Sequence, residues 1–145
     1  MTKPDAFRLD PANYPFSILI GTRYGDLDTN GHLNNVAIAR YFEDARVRFQ
    51  TELAGGRRPV GARGLVAAVH IDYLAEGFYP APVFVTAGIG TIGSSSWRVL
   101  EAAFQEDRRI AVCETVFVRL RDGKPTPIDD DWRALLESKR VEGPG

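Results

Sequence analysis

The sequence predicts an α+β domain in which one long helix lies across an antiparallel sheet, and three features carry that prediction. Apolar residues recur with helical period in one stretch, Ile38 to Leu53. Four later runs between Leu65 and Leu120 have the alternating, β-branched and aromatic character of strands. The runs are parted only by FYPAP, GSS and EDR, and a parallel neighbour would need a crossover of a dozen residues or more, so these strands must run antiparallel.

The elements follow in chain order. Residues 1–15 hold three prolines and scattered charge without periodicity, which suggests an N-terminal arm. FSILIGTRY, 16–24, is apolar and β-branched enough for a first strand. In the helix, Ile38, Phe42, Ala45, Phe49 and Leu53 share one face, while Arg40, Asp44 and Arg48 form opposite-charge pairs four residues apart on another. Asn34 or Asn35 can cap its start, and Gly55-Gly56 gives the permissive backbone at its end. The strands LVAAVHIDYLA, VFVTAGIGTI, SWRVLEAAFQ and RIAVCETVFVRL come next. A short helix, DDDWRALLESK, starts with three acids, which favour a helix N-terminus, and ends on basic residues. The order is β-α-β-β-β-β plus a short C-terminal helix. One domain over 16–138 and a flexible tail over 139–145 complete the division.

At 145 residues and 44% hydrophobic, the chain can bury one core. Its 18 basic and 19 acidic residues give no global field to attract nucleic acid or an anionic membrane, so an anionic ligand must be held locally. The single cysteine, Cys113, sits in an alternating run as a small hydrophobe, which excludes a disulfide framework. Neither an apolar leader nor a membrane-length span is present, and a cytoplasmic protein is expected.

A helix of about 30 Å, from twenty residues at 1.5 Å each, covers only one face of a five-stranded sheet. In the second strand Leu65, Ala67, Val69, Ile71 and Tyr73 point one way and Val66, Ala68, His70, Asp72 and Leu74 the other. Both faces are partly apolar, so a second copy of the chain is expected to cover what the helix leaves bare, making a homodimer at least.

Between the first strand and the helix stands RYGDLDTNGHLNN, Arg23 to Asn35, with two aspartates, three asparagines and one of the two histidines. The opening N–H groups of a helix lack partners and carry partial positive charge, so an acyl carbonyl placed there would have its developing oxyanion stabilised. Asp28 can attack as a carboxylate or activate a water. Asn30 can orient that water and His32 can donate a hydrogen bond or relay a proton. A thioester suits such a site, because its thiolate leaves with less acid assistance than an amine needs. Asp and Asn also favour turns and caps for purely local reasons, and Asp26 fits that structural role better than a chemical one.

YGDLDTNGHLNN followed by IARYFEDARVRF resembles the signature of hotdog-fold acyl-CoA and acyl-ACP thioesterases, the 4-hydroxybenzoyl-CoA thioesterase-like superfamily, and the resemblance spans about residues 16 to 121. It implies one long central helix wrapped by a five-stranded antiparallel sheet, and Asp28 as nucleophile or general base. The spacing Asp28, Asn30, His32 is similar to the acyl-ACP branch, whose further catalytic glutamate follows a strand like HIDYLAE; this points to Glu76. Asn35 stands where a bacterial branch has a histidine. Substrate contacts are expected from Asn34 and Asn35 at the helix start, from Ser95 and Ser96 by resemblance, and from Arg57, Arg58, Arg63 or Arg98 on phosphates. The implied substrate is an acyl-CoA or acyl-ACP thioester, with coenzyme A as part of the substrate, no other cofactor, no metal, and a homodimer or homotetramer.

Other motifs carry less. His70 and Asp72 share a strand face and could hold a metal, but a third ligand is missing. In GSSSW, Trp97 stands where the nucleophile elbow needs glycine, so these serines form a turn. Two alternatives to hydrolysis are a hotdog-fold enoyl-CoA hydratase or dehydratase, whose D-x-N-x-x-H spacing fits Asp28 and His32 one residue too tightly, and a non-catalytic acyl-thioester binding protein.

Overall fold

The structure, a computed structural model, describes residues 3–56 and 63–143. Its elements are β1 (Phe16–Ile20), α1 (Asn35–Leu53), β2 (Arg63–Tyr73), β3 (Val83–Ile92), β4 (Ser96–Gln105), β5 (Arg108–Arg121), β6 (Lys124–Pro125) and α2 (Asp130–Glu137). The strands form one antiparallel sheet in the order β1-β3-β4-β5-β2, with β6 added to β5. This is the expected hotdog arrangement, with α1 held in the curl of the sheet. β1 stops four residues early, because the chain turns into a 3₁₀ turn at Tyr24–Asp26. The extra strand β6 follows a tight turn with positive φ at Asp122 and Gly123, the backbone that Asp-Gly favours in two-residue hairpins.

Asn34 caps α1, its side chain accepting from the Ala37 N–H at 2.7 Å, and Gly55 and Gly56 end it in the left-handed region. The buried face of α1 meets two clusters. Ile38, Tyr41, Phe42 and Ala45 pack on Val83, Val85, Ala103 and Cys113, and the C-terminal half packs Phe49 and Leu53 on Ile89, Trp97, Val99 and Phe117. α2 closes that second cluster with Trp132 and Leu136. Asp129 caps α2 through the Trp132 N–H (2.7 Å) and also receives Arg119 at 2.7 Å.

The ends of the chain behave differently from a loose arm and tail. On the sheet face away from α1, Tyr14, Leu100, Ala102, Phe104 and Val112 form a third cluster, against which Phe7, Leu9 and Val141 pack. Arg8 donates to the Cys113 carbonyl (2.9 Å), and the Tyr14 hydroxyl, its pKa pushed up to about 12 mainly by burial, donates to the Arg8 carbonyl (2.8 Å). Ile89 exchanges backbone hydrogen bonds with Lys139 and Val141, and the Glu142 N–H reaches the Asn13 carbonyl (2.9 Å). The middle of the outer face is therefore covered by the chain itself. β2 is not: among the described residues it pairs with β5 alone, and Leu65, Val66, Val69 and Tyr73 remain exposed.

Beneath α1 lies a buried acid without a hydrogen bond among the described residues. Glu101 on β4 is fully buried, neither carboxyl oxygen has a hydrogen-bond partner among the described residues, and Arg46 of α1 approaches only to 3.9 Å. Burial pushes the Glu101 pKa well above the carboxylate range, with Arg46 opposing. In the unfolded chain this acid ionises at its ordinary value, so folding takes up a proton in the window between the two pKa values. Its penalty is absent below the unfolded value and grows as pH rises toward the folded one. Relative to Glu101→Met, wild type should thus lose stability across that window, by at most about 1.4 kcal/mol per pH unit. Urea unfolding of both proteins from pH 5 to pH 8 checks this; a gap independent of pH contradicts it.

Candidate active site

The stretch between β1 and α1 divides into two parts with different jobs. Asp26 is 2% exposed and serves as an internal anchor. It accepts from the Tyr41 hydroxyl (2.6 Å), the Arg23 N–H (3.0 Å) and the Arg40 guanidinium (3.2 Å), with Arg23 Nη2 at 3.5 Å. Burial raises the Asp26 pKa, but the Tyr41 hydroxyl, the Arg23 amide and the two guanidinium groups outweigh it and hold the carboxyl below its usual range. Burial, together with the same contact, raises the Tyr41 pKa. The Asp26 carbonyl accepts from the Asn34 N–H (2.9 Å), which ties this anchor to the helix cap.

Asp28 sits in the small loop that the Leu27–Leu33 bridge closes. Its N–H donates to the His32 carbonyl (2.8 Å), its carbonyl accepts from Gly31 (3.1 Å), and Gly31 takes a φ of 78° that a side chain would strain. Asp28 Oδ1 accepts from the N–H groups of Asn30 (2.8 Å) and His32 (3.2 Å). Oδ2 has no hydrogen bond among the described residues, and the residue is exposed. The carboxylate is therefore a turn former through one oxygen, while the other is left open.

Two further groups converge here. His32 Nε2 lies 3.1 Å from Glu76 Oε2, and its ring stands edge-on to Phe78 at 5.2 Å. Glu76 comes from the β2–β3 connection, which the Leu33 N–H binds through the Gly77 carbonyl (2.9 Å). At the helix start, the Asn34 side chain and carbonyl serve Ala37 and Ile38, leaving the Asn35 and Val36 amides without partners among the described residues. Tyr73 donates to the Asn35 carbonyl (2.9 Å) and braces this end of α1 against β2. The Asp28 loop, the His32–Glu76 pair and the unpartnered Asn35 and Val36 amides thus all belong to the segment that enters α1 or to the loop bound to it.

The other candidates lie elsewhere. Asn30 is exposed and contributes its backbone N–H rather than its amide side chain to the loop. Ser95 and Ser96 stand at the β3–β4 turn, next to Trp97, whose indole donates to Gln50 in the last turns of α1. That is the opposite end of a helix about 28 Å long, so one protomer does not unite them with Asp28. Arg98 is on the outer face, paired with Glu114 at 3.1 Å. Arg57, Arg58 and the Arg63 side chain lie outside the described residues. His70 meets Asp72 at 3.1 Å on the exposed strand, and no group of three His, Cys, Asp or Glu side chains among the described residues is placed to hold a metal ion. An open groove of about 460 Å³ runs along the outer side of α1, lined by Arg23, Asp26, Arg40 and Tyr41 and not by Asp28. Tyr41 and Gln105 are the polar residues that sequence reasoning missed. Tyr41 stands beside Phe42 in the helix run and Gln105 ends a strand run, and neither falls in a motif that marks it.

A single helix in a curled antiparallel sheet, with a carboxylate loop feeding its N-terminus, defines the thioesterase type of hotdog protein. The chain belongs to the thioesterase-like superfamily, whose family model matches residues 22–136. It is similar in structure to a predicted thioesterase from Bacillus stearothermophilus, at TM-score 0.80 and 29% identity over 90% of this chain and 98% of that one. A thioesterase from Thermus thermophilus complexed with coenzyme A and Zn gives TM-score 0.77 and 27% identity, over 87% and 94% of the chains. The PA5185 protein of Pseudomonas aeruginosa PAO1 gives 0.79 and 26%, over 92% and 97%. No curated protein matches the chain in sequence. No helix among the described residues is long and apolar enough to cross a membrane.

Proposed function

We propose that the protein hydrolyses an acyl-CoA or acyl-ACP thioester to a free acid and a thiol, with Asp28 as nucleophile or general base. The observation that carries this is the division of labour within the Asp28 carboxylate: Oδ1 is fixed by two amides while Oδ2 has no hydrogen bond among the described residues, in the loop that leads into α1. A base fixed in direction without being consumed by its own turn is what attack on a carbonyl, or on the water beside it, requires. The Asn35 and Val36 amides offer donors for the oxyanion, and the His32–Glu76 pair stands ready to orient water or carry a proton. The coenzyme A bound by the Thermus thermophilus protein supports a CoA thioester as the substrate.

A homodimer is part of this proposal. The free edge of β2 and its exposed Leu65, Val66, Val69 and Tyr73 suit a second copy, which would wall in a site that is open in one protomer. The test is thiol release over a panel of straight, branched and aromatic acyl-CoA esters, alongside the solution mass. Turnover of at least one ester by a dimer or larger assembly is expected; tight binding with no thiol over hours would identify a binding protein instead.

A further inference from the structure

The His32–Glu76 contact raises a physical question. The Glu76 side chain is 64% exposed and His32 28%, and an exposed pair of this kind contributes little by itself and does not fix its own geometry. Something else must hold the two side chains together. Gln105, at the end of β4, is 3% exposed, and its amide is directed wholly into the loop that carries Glu76. Oε1 accepts from the Phe78 N–H (2.8 Å), and Nε2 donates to the carbonyls of Phe78 (2.6 Å) and Ala81 (2.8 Å). On the loop's other side the Gly77 carbonyl is held by Leu33, next to His32. Gly77 permits this approach: a Cβ there would stand 2.8 Å from Leu33 Cδ1 and 3.5 Å from Gln105 Oε1. Arg108, three residues past Gln105, lies 4.7 Å over the Phe78 ring, the same ring that meets His32 edge-on.

We propose that Gln105 is a positioning residue for the His32–Glu76 pair: three hydrogen bonds from one buried amide fix the Gly77–Ala81 loop so that the Glu76 carboxylate faces the His32 ring. A buried amide with all three bonds made is rigid in a way that surface side chains are not. Losing it frees the Phe78 N–H and carbonyl at once and leaves the Ala81 carbonyl to the Thr22 hydroxyl (3.0 Å). The structural part stands on these contacts; the catalytic consequence rests on the hydrolytic role proposed above for His32 and Glu76.

The test compares wild type with Gln105→Leu, Gln105→Glu and Glu76→Gln, by the side-chain ¹H–¹⁵N resonances of His32 and by kcat for thiol release. Gln105→Leu should move the His32 ring resonances to where Glu76→Gln puts them, with backbone amides outside 32–33, 74–82 and 105–108 unmoved. Gln105→Glu, which keeps the acceptor but sets a carboxylate against two carbonyls, should do the same and covers the case in which the leucine variant fails to fold. In kcat each single change should cost about tenfold, the scale of one charge-assisted contact, and the Glu76→Gln/Gln105→Leu double variant should be no slower than Glu76→Gln alone. Unmoved His32 resonances in folded Gln105 variants, or multiplying rate losses, overturn the proposal. If wild type releases no thiol, the hydrolytic reading fails, and the resonances alone still decide whether Gln105 positions the pair.

Discussion

Asp26→Ala is expected to cost roughly 3–5 kcal/mol of folding stability, because it removes at once several hydrogen bonds to a buried carboxylate, each worth about 1.5–3 kcal/mol. The carboxylate is 2% exposed and accepts hydrogen bonds from Tyr41, Arg23 and Arg40. Alanine leaves the Tyr41 hydroxyl buried without an acceptor and lets the backbone of the β1–α1 connection drift from the helix cap. Tyr41→Phe removes one bond to a charged group and should cost less, about 1.5–3 kcal/mol. The pH dependence has the sign of a depressed acid. Because the folded pKa lies below the unfolded one, the contribution is complete above the unfolded value and is lost as pH falls through the folded one. Asp26→Asn should therefore differ most from wild type at neutral pH and converge with it in acid. Urea unfolding at pH 7 and pH 3 measures both effects. An Asp26→Ala variant within about 1 kcal/mol of wild type would show that the cluster is not an anchor, since ordinary surface changes fall in that range.

Asp28 is expected to behave in the opposite way, with a small effect on folding and a large one on rate. Asp28→Asn retains an oxygen that can accept from Asn30 and His32, so the turn survives; Asp28→Ala removes both bonds. If Asp28 were only a turn former, asparagine would be harmless and alanine damaging. If its free oxygen is the base or nucleophile, both lose about 10²–10⁴-fold in kcat, because neither carries a carboxylate. Measuring kcat and thermal unfolding of the two variants with the best acyl-CoA from the panel separates the cases, and asparagine at wild-type rate would remove Asp28 from the chemistry.

Much of this architecture is written in local pattern. α1 is legible because Ile38, Phe42, Ala45, Phe49 and Leu53 keep helical period between an Asn cap and a Gly-Gly stop, and all five are buried in one layer. The β3–β4–β5 meander is legible because short turns force antiparallel neighbours. What the period does not encode is what lies across the sheet. That β2 skips β3 to pair with β5, and that Phe7, Leu9 and Tyr14 return to cover Leu100 and Phe104, are long-range choices made by total burial. Arg98 could have been placed by alternation, since Trp97 faces α1 and its neighbour must then face out. In the site, the dense polar motif singled out Asp28 and His32, while Glu76 came only with the family resemblance. The motif was silent on Tyr41 and Gln105, whose polar atoms matter only once distant loops have closed on them.

The most direct test of the central claim follows one enoyl-CoA solution at two signals, free thiol and the absorbance of the conjugated thioester, with wild type and Asp28→Asn side by side. Thioester cleavage at Asp28 predicts thiol from wild type in step with any loss of absorbance, and almost none from the variant. Bleaching without thiol, or thiol released equally by both proteins, would contradict it.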